Sequence, residues 1–127
     1  MQKTFKDYVE EINGFFRENG QQIDPVPEVK IDFTENDRLD PFIKTANYDP
    51  ETKTITLYVS NRHVKDIMRS YCHELFHHVQ NMKDGDGFRS TKKGVGLADN
   101  PDLEGIEGDA YVNGNILFRK WTETQKP

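Results

Sequence analysis

Residues 62–82 read RHVKDIMRSYCHELFHHVQNM. Val64, Ile67, Met68, Tyr71, Leu75, Phe76 and Val79 recur at helical spacing. The stretch therefore predicts a long helix, entered through Ser60 or Asn61 as cap. Inside it, residues 73–77 spell His-Glu-Leu-Phe-His. Side chains four apart lie one turn apart on the same face. His73 and His77 can therefore reach one ion at the roughly 2.0–2.1 Å of a zinc–imidazole bond. Glu74 points about 100° round the helix, where it can accept a proton from a water on the metal, a water whose pKa zinc lowers towards about 7. That is the task of a general base. The plainer reading, ordinary polar residues on a helix, has less behind it: a strand precedes the helix, apolar residues fill the rest of the motif, and an acidic helix follows.

Working outward, Phe5, Tyr8, Val9, Ile12, Phe15 and Phe16 place an amphipathic helix over 4–18, within an N-terminal unit of residues 1–23. Thr4 suits its cap and Gly20 its stop. Asp24-Pro25-Val26-Pro27 is a rigid connector. Val29, Ile31 and Phe33 alternate with polar residues, the period of a half-buried strand. Residues 42–48 and 53–59 read as a hairpin turned by Asp49-Pro50-Glu51-Thr52, so the sheet spans 28–59. The strand near 54–59 is a candidate edge, where an extended peptide can pair; the alternative is that both edges are covered. Residues 83–100 form a glycine-rich loop, either a flap over the cleft or a plain linker. A last helix runs over 101–122, with Ile106, Ala110, Ile116, Leu117 and Trp121 turned inward. Gly105, Gly108 and Gly114 weaken it, since glycine in a helix costs about 1 kcal/mol relative to alanine. Another backbone passing close by explains them. The expected fold is α+β, a small twisted sheet packed on the helix at 62–82 with helices flanking it.

The chain has 127 residues, enough for one domain, with 34% apolar and 31% charged residues. Its net charge of -5 and pI near 5.3 argue against a nucleic-acid binder. No apolar run has the length of a membrane helix. The single cysteine, Cys72, cannot form an internal disulfide, which suits a reducing, cytoplasmic setting. A monomer is expected.

A catalytic zinc site needs a third protein ligand and an open fourth position. In the metzincin pattern a third histidine falls six residues after the second, but Lys83 stands there, and Gln80 occupies the glycine position. His63 is nearly three turns from His73, and His78, rotated away from His77, reads as a support for the ligands or as a surface residue. A carboxylate of the last helix is left, and Pro101 to Tyr111 offers several, with Glu104 and Glu107 one turn apart.

Glu107-Gly108-Asp109-Ala110 resembles the Glu-x-x-Ala pattern of gluzincin-like zinc metallopeptidases, and His73 to Gln80 is similar to the zinc helix of their small, often phage-encoded members. The resemblance covers roughly residues 42–121. It implies one zinc ion on His73, His77 and Glu107, with Glu104 as runner-up ligand, Glu74 as general base, and a peptide or protein as substrate. The setting would be the host cytoplasm if the chain is phage-encoded. Asp109 is then placed to accept the far N–H of a ligating histidine. Thermolysin-type members carry Asp four residues after the ligand Glu, where this chain has Tyr111, so the support of the ligands must differ. Tyr111, Tyr71 and His78 are candidates to bind the oxyanion of the tetrahedral intermediate. Cys72 reads as a small buried helix residue. Asp84-Gly85-Asp86-Gly87 fails as a calcium loop, because Arg89 and Val95 stand where Gly and Glu are required. Two other readings are kept: a catalytically silent zincin-fold module that binds a peptide or protein, and a purely structural zinc.

Overall fold

A computed structural model describes residues 3–34, 45–83 and 101–125, without the side chains of 101–104. The loop at 83–100 beyond Lys83, the start of the hairpin at 42–44, and Lys126 and Pro127 lie outside the described residues. Among the described residues the architecture is α+β, with three helices and a three-stranded sheet.

Helix α1 (Phe5–Glu18) opens on a capping box, in which Asp7 N–H donates to Thr4 Oγ1 and Thr4 N–H to the Asp7 carboxylate. It closes where Gly20 adopts φ +79°, with Gly20 N–H donating to Arg17 O and Gln21 N–H to Phe16 O. That is a Schellman ending, which favours glycine.

Strands β1 (Glu28–Asp32), β2 (Ala46–Asp49) and β3 (Thr54–Tyr58) lie in the order β1-β3-β2. β3 pairs in parallel with β1 and antiparallel with β2. The candidate edge at 54–59 is thus the central strand, with Ile55 and Leu57 buried. Among the described residues the edge on the hairpin side is β2. Asp49 Oδ1 accepts from the Glu51 and Thr52 amides and shapes the turn between β2 and β3.

Helix α2 (Val64–Lys83) begins two residues later than expected. Asn61 takes a left-handed φ of 58°, which ends any helix there. His63 caps instead: its Nδ1 accepts from Lys65 N–H. α2 is the hub. It packs against β2 and β3, against α1, and most extensively against helix α3 (Pro101–Thr124). Tyr71, fully buried, donates its hydroxyl to Asn13 of α1. Ile116 of α3, expected to face inward, is exposed, whereas Ala110, Leu117, Phe118 and Trp121 are buried. Among the described residues no helix is long and apolar enough to cross a membrane.

Candidate metal centre

His73 and His77 lie on the face of α2 turned towards α3, with ring centroids 4.8 Å apart and planes at 87°. The ligand atoms of His73, Glu74 and His77 lie within 4.8 Å of one another, a group able to hold a metal ion. Glu107 of α3 approaches the same two imidazoles. Its Oε2 is 3.4 Å from His73 Nε2 and 3.3 Å from His77 Nε2. An imidazole lone pair and a carboxylate oxygen repel at that separation unless a proton or a cation lies between them. The ligands of a tetrahedral ion with bonds of about 2.0–2.1 Å stand about 3.3 Å apart. The donor set therefore fits a small tetrahedral cation. The Glu104 side chain is outside the described residues.

α3 comes this close because of its small residues. A Cβ on Gly114 would meet His73 Cα at 3.1 Å and Cys72 O at 3.3 Å. Ala110, one turn earlier, is fully buried. Close backbone approach therefore accounts for Gly114, but not for Gly105 or Gly108, around which a Cβ would find open space.

One residue of the site, Gln80, has a role that the sequence does not assign. Gln80 Nε2 donates to Ile106 O at 3.0 Å and to Asp109 Oδ2 at 3.2 Å, both pure acceptors, which fixes the amide orientation. Gln80 Oε1 then faces His77 Nδ1 at 2.8 Å and must accept from it. His77 carries its proton on Nδ1 and presents Nε2 as the acceptor nitrogen. Asp109 does not touch a histidine among these bonds; it steadies Gln80, and itself accepts from Asn113. The signal available in the sequence was the spacing His-x-x-Gln, which puts the amide one turn beyond its imidazole.

His78 and Tyr71 are not at the site. His78 is fully buried on the sheet side of α2, with Nε2 donating to Ile23 O and Pro25 O and Nδ1 accepting from the Tyr48 hydroxyl at 2.7 Å. Burial, the largest cause, lowers its pKa. Tyr71 is committed to Asn13, and burial raises its pKa. Cys72 is likewise sealed in the core with its thiol pushed up, which keeps it unreactive. Tyr111 is 66% exposed on the outside of α3.

Glu74 lines a cleft of about 530 Å³ together with residues 46–51, so the outer edge of β2 flanks it. No family model matches the chain, and neither do any curated protein or solved structure.

Proposed function

We propose that the chain is a zinc-dependent metallopeptidase of minimal zincin-like form, in which His73, His77 and Glu107 hold one zinc ion and Glu74 is the general base. The observation that carries this reading is the convergence of Glu107 Oε2 on both histidine Nε2 atoms, at 3.4 and 3.3 Å, with Glu74 beside them.

Zinc held there supplies Lewis acidity towards water and a substrate carbonyl. The chain's own residues do the rest. Glu74 takes the proton from the attacking water and returns it to the leaving amine nitrogen, so the cycle neither gains nor loses a proton. Gln80 keeps His77 in the tautomer whose Nε2 is an acceptor. The edge of β2, alongside Glu74, suits backbone pairing with an extended peptide.

A second reading is the catalytically silent peptide-binding module. It draws support from the commitment of Tyr71 and His78 to the core, which leaves Tyr111 alone among the three oxyanion candidates. Glu74→Gln separates the two. A peptidase loses about 10²–10⁴ in rate with its zinc content unchanged. Undiminished cleavage by the variant removes Glu74 as base. Binding by both proteins with no turnover by either selects the module.

A further inference from the structure

α2 and α3 run antiparallel: Glu107 meets His77, Gly114 meets His73, and the Arg69 guanidinium lies 5.2 Å from the Phe118 ring centroid. Between them lies a groove of about 430 Å³ lined by Lys65, Arg69, Tyr111, Asn115, Phe118 and Arg119 among others. Tyr111 follows Glu107 by one helical turn and Arg69 precedes His73 by one, so the groove starts beside the metal centre. Of its three cations, Arg69 pairs with Asp66 at 3.0 Å. The side chains of Lys65 and Arg119 make no ion pair among the described residues, and both residues are exposed. This basic groove stands in a chain of net charge -5. The cleft on the other side of the centre is lined by Asp49, Glu51 and Glu74.

On the metallopeptidase reading above, we infer that the α2–α3 groove receives acidic side chains of the substrate, so that the substrate is a polypeptide with Asp or Glu residues to one side of the bond cleaved. Arg69 and Lys65 lie about 6 and 12 Å along the helix from His73. An extended chain advances about 3.3 Å per residue, so the acidic positions fall about two to four residues from that bond. A nucleic acid is the poorer occupant: three cations in one short groove offer few phosphate contacts, and the rest of the chain repels them.

The test uses the full chain and fluorescein-labelled octaglutamate, octalysine and an eight-residue oligothymidylate, followed by fluorescence anisotropy. Octaglutamate is expected to bind the parent and to bind Lys65→Glu/Arg119→Glu at least about tenfold more weakly at low salt, with the difference collapsing near 0.5 M salt. Circular dichroism should be unchanged, since both residues are exposed. Equal binding to parent and variant overturns the inference, as does no binding of octaglutamate, or tighter binding of the oligothymidylate. Cleavage of a mixed peptide library with no enrichment of acidic positions overturns it too. Capture of octaglutamate by a chain that cuts nothing upholds the groove and removes the peptidase reading, so the two fail separately.

Discussion

His77 and His78 are neighbours on one helix, 1% and 0% exposed, yet they live in opposite surroundings. His78 faces the sheet. Both of its nitrogens are matched to neutral partners, the Tyr48 hydroxyl on one side and two carbonyls on the other. Asn81 completes that network by donating to the Tyr48 hydroxyl and to Pro50 O. His77 faces α3. One nitrogen is matched by Gln80, and the other shares a carboxylate oxygen with His73. A buried imidazole with two neutral partners is finished as structure. One whose acceptor nitrogen points at an anion calls for a cation.

The strongest way to break this contrast is to remove each ring in metal-free protein. His78→Ala leaves the Tyr48 hydroxyl and the Ile23 and Pro25 carbonyls short of a buried partner and opens a cavity, so denaturant unfolding should show a loss of about 3–5 kcal/mol. His77→Ala should lose only about 1–2 kcal/mol but weaken zinc binding more than about 100-fold, since a ligand matters more than its support. Equal losses of stability with unchanged zinc affinity would erase the distinction.

Acid offers a second, smaller test. Burial holds the folded pKa of His78 below the ordinary value of 6.5. The unfolded chain then binds a proton that the folded chain refuses, so the stability due to neutral His78 is complete above about pH 6.5 and declines as pH falls through and below it. Unfolding of metal-free protein as a function of pH should show this slope in the parent and lose it in His78→Gln.

The smallest expected effects concern glycines. Gly108→Ala gains helix propensity in open space and should stabilise by about 0.5–1 kcal/mol. Gly114→Ala has the same propensity gain set against a Cβ 3.1 Å from His73 Cα, so it should fail to stabilise and should lower zinc affinity. Thermal melts with and without chelator read both quantities; equal stabilisation by the two would show that α3 is free to retreat.

The sequence made the helices legible because their signals are local: the Thr4 and Gly20 ends of α1, the apolar stripe of α2, and the His-Glu-x-x-His motif. Glu107 came from a family-like pattern, and the structure brings its carboxylate to both histidines. Strand order was not legible, because the position of β3 between β1 and β2 depends on pairing across a crossover. The start of α2 was missed because Asn61 turns left-handed and yields the cap to His63. The role of Gln80 was not legible, because its amide is oriented only by Ile106 O and Asp109 on the facing helix. Among the three glycines of α3, spacing alone could not tell which one faces a backbone.

Gly114 supplies no donor atom to the centre, yet it sets how near α3 comes to the backbone of His73. A Cβ there would stand 3.1 Å from His73 Cα, a contact that must give by a few tenths of an ångström. On the zinc proposal, a shift of that size would carry Glu107 Oε2 off the roughly 3.3 Å ligand spacing that bonds of about 2.0–2.1 Å require. The reach of the Glu107 carboxylate to both imidazoles thus depends on the one amino acid with no side chain to hold the helices apart.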